Sequence, residues 1–436
     1  MAAWLLSSIL LLFGLHTALG TKPACRIRIT SPGLQLLQSE VLTFVAEELE
    51  NISIADFAGK EGLIQYSISG VRITDLDLST ASLSFRPGEG LQFEVKNSSI
   101  SVNFQRDMLY WLVQDVGQIN ASAEGANIWT VLNLTKSKQG QLRISKLSCT
   151  ASIARMHAQF TGSFRGFYEL ISSLLMTGLR FLINKQICPA LEHSALVLLN
   201  SLLATVPVRM PVDSYVGIDY SFLSDPDVKA DWMDMEFKGM FYPLGNENDT
   251  LVNNAVVPLV KRSQRMVYIS VSEYFFDSAM YSYYKAGVLK TEIPESKMSV
   301  DLAYLLRTTF FGAIILLESR LNAKVSLKGK KLGMKLDLKR FRMYSSKSTL
   351  ESLALIPLQT PIKALVHFTV MPLINERTQE GVQIPLPEGI DLINETMRNH
   401  MGFLSIGADL HFYKGLREVI NMNKQILSSN NSTVSK

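Results

Sequence analysis

The chain has 436 residues, with 43 Lys+Arg against 39 Asp+Glu, a formal net charge of +4 and three cysteines. Neither half carries the strong basic field that nucleic acid demands, so nucleic-acid binding is excluded. The length calls for at least two domains.

Residues 1–20 read as a secretory signal peptide. Ala2 to Leu19 is uncharged, its apolar run is short, and Ala18-Leu19-Gly20 offers small residues for cleavage before Thr21. No Lys or Arg precedes the run, which leaves a membrane anchor as the alternative. No later stretch reaches the ~18 uncharged apolar residues of a spanning helix. The mature chain is therefore expected to be soluble, secreted and extracellular. Acceptor sequons at Asn51, Asn97, Asn120, Asn133, Asn248, Asn394, Asn430 and Asn431 fit a glycoprotein with many exposed loops.

Residues 21–205 form the first predicted domain. Arg26 to Thr30 is a short strand, and Ser31-Pro32 supplies an N-cap followed by proline at the first helical position. Leu34, Leu37, Val41, Phe44 and Val45 stripe one face of the helix that follows. From Leu63 to about Ile153 the period switches to two, as in Ile64, Tyr66 and Ile68 or Leu91, Phe93 and Val95, each alternating with polar residues. Strands with one wet and one dry face predict a curled antiparallel sheet or barrel. A very apolar helix then spans Ser163 to Pro207, with Phe167, Ile171, Leu174, Leu175, Gly178 and Leu182 at three- and four-residue steps. So little of it is charged that it should be covered almost all round. Cys149 is expected to pair with Cys188 within that helix, because Cys25 lies close to the mature terminus; in an oxidising compartment the bond contributes about 4 kcal/mol.

Residues 206–258 are read as further strands, at Val216 to Tyr220 and Met233 to Phe237, followed by a polar linker from Gly245 to Pro258. In residues 259–420 the order repeats: strand Met266 to Val271, helix Ser272 to Gly287, strands around Val325 and Leu332 to Leu338, an apolar helix from Leu350 to about Arg377, and a strand from Leu404 to Phe412. Pro357, Pro361 and Pro372 should break that last helix. Leu182-Ile183-Asn184-Lys185 and Leu373-Ile374-Asn375-Glu376 stand at matching places in the two halves. The helices of the second half start closer together, a shortfall of about 54 residues of sheet. Residues 421–436 read as a flexible tail.

Chemistry is hard to find. No G-x-S-x-G elbow, H-E-x-x-H or Cys-x-x-Cys occurs, and the histidines are scattered, so no enzyme, metal site or cofactor is expected. The stretch Lys324 to Lys347 holds seven Lys or Arg between Lys328 and Arg342 against Asp337 alone. It is either the solvated face of amphipathic strands or a docking patch for anionic headgroups or a sulfated glycan.

The run Pro23-Ala24-Cys25-Arg26-Ile27-Arg28-Ile29-Thr30, with Leu34 and Glu40, resembles the N-terminal signature of the secreted lipid-binding family of bactericidal/permeability-increasing protein. Gly217-Ile218-Asp219-Tyr220-Ser221, Arg265-Met266-Val267-Tyr268, Gly407-Ala408-Asp409 and the run Gly381 to Gly389 extend the likeness over nearly the whole mature chain. The resemblance implies an elongated α+β boomerang: two antiparallel barrels with long apolar helices, a central sheet between them and a phospholipid pocket under each. It also implies the Cys149–Cys188 disulfide. Ala55 stands where the signature has proline, and near 317–322 the family's second barrel has several strands and a cysteine that are absent here. The expected function is transfer of phospholipid between lipoproteins or membrane surfaces without covalent catalysis; the alternative is a lipopolysaccharide-binding defence protein of the same fold. Leu34, Leu37, Val41 and Phe44 of the first helix, with Leu170, Leu174, Leu179 and Ile183 of the long one, are the expected pocket lining.

Overall fold

A computed structural model describes residues 22–158, 165–260, 264–288, 315–345 and 356–422. The signal peptide, Asn430 and Asn431 lie outside the described residues, as do the side chain of Leu170 and the start of the helix expected from Leu350.

Strand β1 (Cys25–Thr30) runs straight into α1 (Ser31–Glu50). The helix opens one residue earlier than the sequence suggests: extended Thr30 is its cap, and Pro32 falls in the first turn, where a missing N–H costs nothing. The first half then builds β2 (Phe57–Glu61), β3 (Ile64–Leu76), β4 (Ser82–Arg86), β5 (Gly90–Tyr110), β6 (Val113–Lys136) and β7 (Leu142–Ala158). They form one antiparallel sheet in the order β2-β3-β5-β6-β7, with β4 on β5. Register shifts at Ser69/Arg72, Val95/Ser98 and Asn133/Leu134 let these long strands bend. The alternation read from the sequence puts Ile68, Ile73, Phe93, Val95, Val102, Phe104 and Ile128 on the buried face.

Helix α2 (Arg165–His193) lies on that face. Leu175, Leu179, Ile183, Ile187 and Leu191 recur every fourth residue and are buried. The cover is one-sided, however, and the expectation of an all-round cover is corrected: Leu174 and Phe181 are exposed. The Cys149–Cys188 disulfide ties α2 to β7, with Cα atoms 5.7 Å apart. Pro189 sits inside α2, which runs on into a π-helical segment, Ser194–Leu199, and a last turn, Asn200–Leu203.

Next come β8 (Arg209–Pro211), β9 (Val216–Asp219), β10 (Asp227–Val228), β11 (Trp232–Phe237) and β12 (Met240–Pro243). The second half supplies β13 (Val267–Ser272), α3 (Glu273–Lys285), β14 (Ile315–Lys328) and β15 (Lys331–Ser345). It ends with α4 (Ile356–Leu365), α5 (Met371–Glu380), β16 (Val382–Gln383), β17 (Ile390–His400) and β18 (Phe403–Phe412). A central sheet in the order β10-β11-β1-β13-β18-β17 joins the halves. Here β1, from the very start of the chain, lies between β11 and β13. Its Arg28 is buried, and its guanidinium donates to both carboxylate oxygens of Asp234 at 2.6 Å and stacks 4.5 Å from the Trp232 ring. A buried charge this well paired fixes the register of β1 on β11.

The prolines do not break the second apolar helix. Pro361 is held inside α4, the irregularity is taken up by a π-helical segment at Val366–Val370, and Pro372 falls in the first turn of α5. The sequence match of Asn184 with Asn375 is also corrected. Asn375 receives the backbone N–H of Leu336 at 2.7 Å and donates to its carbonyl at 2.9 Å, clasping β15. In the first half Asn200 does this, clasping Ile144 of β7 at 2.8 and 2.9 Å. Asn184 has a buried side-chain oxygen with no hydrogen-bond partner. The second half's sheet holds β14, β15 and β16 among the described residues, against six strands in the first, which is the expected shortfall.

Candidate functional site: an apolar cavity at the seam

A cavity of about 290 Å³ opens where the first half meets the central sheet. Its wall is built from Leu34, Leu37 and Val41 of α1, Ile27 and Ile29 of β1, and Met233, Met235 and Phe237 of β11. Leu83, Leu91, Leu134 and Ile144 of the first sheet and Leu199, Leu202 and Leu203 at the end of the α2 run complete one side. The other side comes from the second half: Pro385, Leu386, Pro387, Leu410, Phe412, Leu416 and Val419.

Three charged side chains, Glu40, Glu388 and Lys414, also line it, and none forms an ion pair among the described residues. They gather at one rim. A Cβ on Gly415, next to Lys414, would stand 3.6 Å from a Glu40 carboxylate oxygen, and one on Gly389, next to Glu388, 3.3 Å from the Lys414 Cβ. The Glu40 carboxylate accepts the Leu416 N–H at 3.3 Å, and Arg417 pairs with Glu47 and Glu48 of α1. The helical segment that begins at Leu416, after β18, is thereby held across α1.

Of the expected lining residues, Leu34, Leu37 and Val41 reach the cavity. Phe44 does not; it is buried with Leu198, Leu202, Val419 and Ile420, where it seats the helical segment after β18. Leu179 and Ile183 are core residues between α2 and the first sheet, and Leu174 faces outward. The wall from the second half was missed in the sequence. The Ile384-Pro385-Leu386-Pro387 run, apolar and unable to continue a helix, was its available signal.

Under α5 two smaller voids of about 50 and 60 Å³ lie against Phe276, Ala279 and Tyr283 of α3. Arg377 closes over them, 3.5 Å from Asp213 and stacked on Tyr215. No group of three or more metal-ligating side chains occurs among the described residues. Cys25 is a buried free thiol whose pKa burial pushes up to about 12, so it stays protonated and inert.

At the far end of the first half, the β5–β6 turn presents Tyr110, Trp111, Leu112 and Val113 to solvent beside Leu63, whose carbonyl accepts the Trp111 N–H. Trp111 and Leu112 are 73% and 81% exposed. Among the described residues, no helix is long and apolar enough to cross a membrane.

A barrel-and-helix half, a shared central sheet and an apolar seam cavity define a lipid-binding class of fold, and the comparisons agree. The N-terminal domain of the LBP / BPI / CETP family matches residues 33–205, and its C-terminal domain matches residues 210–319 and 314–412. The chain belongs to this family. The C-terminal match is split in two at 314–319, where the sheet is short. Phospholipid transfer protein of Homo sapiens is 45% identical over 469 aligned positions, covering 95% of this chain and 94% of that protein. The Mus musculus protein of the same name is 46% identical with the same coverage. The crystal structure of a lipopolysaccharide binding protein superposes with a TM-score of 0.68 at 20% identity, covering 90% of this chain and all of that one, and so shares the fold.

Proposed function

We propose that this chain is an extracellular phospholipid carrier: it takes an acyl chain into the seam cavity, leaves the headgroup at the charged rim, and releases the lipid at another lipoprotein or membrane surface. The cavity carries this reading. Each methylene withdrawn from a bilayer into water costs ~0.8 kcal/mol, so a carrier needs a continuous apolar wall, and Leu34, Leu37, Val41, Met233, Leu199 and Leu386 supply one. The two relatives named phospholipid transfer protein support the choice of cargo.

The exposed Tyr110–Val113 turn is the part best suited to enter a lipid surface, since aromatic and aliphatic side chains gain by leaving water there. Every step is a transfer between apolar environments, and no bond is made or broken. The secreted protein should move labelled phosphatidylcholine between vesicles; failure to move it above the spontaneous rate would sink the reading.

A further inference from the structure

The seam cavity explains what is carried but not the hairpin of β14 and β15. Its strands pair antiparallel with Lys324 directly opposite Lys335 and Lys328 directly opposite Lys331. All four are exposed, while Val325, Leu327, Leu332 and Leu336 turn to the other face and pack inward. Like charges facing each other across a ladder repel, and such pairs are destabilising in the free protein. None of the four lysines forms an ion pair with a carboxylate among the described side chains, and the two strands carry two acidic residues, Glu318 and Asp337. Four residues of strand separate the two pairs, roughly 13 Å, so the cations form a strip two wide along one flat face.

Lys330, in the turn beyond the Lys328/Lys331 pair, has a different task. Its ammonium donates to the Pro387 carbonyl at 2.8 Å, and the Ile384 N–H donates to the Lys330 carbonyl at 2.8 Å. Pro385, Leu386 and Pro387 are cavity wall. The turn of the hairpin is thus tied to the segment that closes the seam.

We propose that the solvent face of this hairpin docks a lipid surface bearing anionic headgroups, which relieve the Lys324/Lys335 and Lys328/Lys331 repulsion. The tie through Lys330 favours a lipid surface over a linear polyanion, because a surface held there lies beside the cavity that receives the lipid. The carrier reading says what is bound; this concerns which surface is met, and its readout is binding rather than transfer.

The test is co-sedimentation of the full secreted chain with phosphatidylcholine vesicles, with and without phosphatidylserine, at low and high salt. The wild type should bind the serine-containing vesicles more tightly, with the surplus shrinking in high salt. Lys324→Gln/Lys328→Gln/Lys331→Gln/Lys335→Gln should lower that surplus about tenfold or more. The matched variant Lys60→Gln/Lys96→Gln/Lys138→Gln/Lys146→Gln, on exposed lysines of the first sheet, should keep it. The hairpin variant should melt no lower than wild type, and the two single-pair variants should each show part of the loss. Transfer from neutral vesicles should persist in all of them, which separates this proposal from the carrier reading. No surplus in the wild type, or an equal loss in the matched variant, would overturn it. Retention on a sulfated polysaccharide that depends on the hairpin lysines, without a vesicle surplus, would overturn it in favour of a linear polyanion.

Discussion

Leu37 and Val41 stand one helical turn apart on α1 and share the cavity wall, whereas Phe44, on the same sequence stripe, seats the helical segment after β18. Two kinds of substitution should therefore separate. Leu37→Trp puts bulk into open space and should cut phosphatidylcholine transfer severalfold with little change in melting temperature. Phe44→Ala leaves a hole in a packed cluster and should cost about 3–5 kcal/mol of stability, read by calorimetry. At the opposite end, Trp111→Ala with Leu112→Ala should weaken vesicle binding more than tenfold, since each side chain contributes about 1.5–3 kcal/mol on leaving water. Neither touches the core, so the melting temperature should hold. Asp219 makes a pH prediction. Burial alone would raise its carboxyl, but hydrogen bonds from Ser221 and the charge of Lys238 outweigh this and hold it below the usual carboxylate range. A depressed folded-state value stabilises the protein above the unfolded-state value, and that contribution is lost as pH falls through the folded-state one. Asp219→Asn should thus melt below wild type at neutral pH, with the gap closing in acid.

At the scale of elements, the two Asn clasps are the sharpest feature. Each takes one backbone N–H and one carbonyl that a truncated side chain would leave unpaired, so Asn200→Ala and Asn375→Ala should each cost about 1–3 kcal/mol. Thermal melts showing no loss at either position would mean that water takes over both bonds. These clasps also mark what the sequence could not reveal. Period-two alternation made the first sheet legible, because its faces differ in exposure along every strand. Helical periodicity located α1 and α2. It could not say that the helices would carry Pro189 and Pro361 inside them and run on into π-helical segments, nor that Asn200 rather than Asn184 answers Asn375, because hydrogen bonding to a strand leaves no period. The true buried stripe of α2, Leu175 to Leu191, was blurred by apolar residues such as Phe181 that remain exposed.

For the whole molecule, the chain's first strand lies in the central sheet between strands from later in the chain, and the cavity takes its walls from both halves. One part of that wall was visible as the α1 stripe. Another, Pro385 to Pro387 and Leu410 to Val419, comes from more than three hundred residues away, beyond the reach of spacing rules. The shortened second sheet was legible as a difference in helix spacing, and it recurs in the split family match. The proposed lipid carriage lies at the seam, where the second half serves as a wall. Native mass spectrometry of the full secreted chain tests that claim most directly, comparing wild type with Leu37→Trp/Leu203→Trp. The wild type should carry the added mass of a phospholipid and the filled-cavity variant should have lost it. A bare wild type, or a variant that keeps the lipid undiminished, would contradict the account.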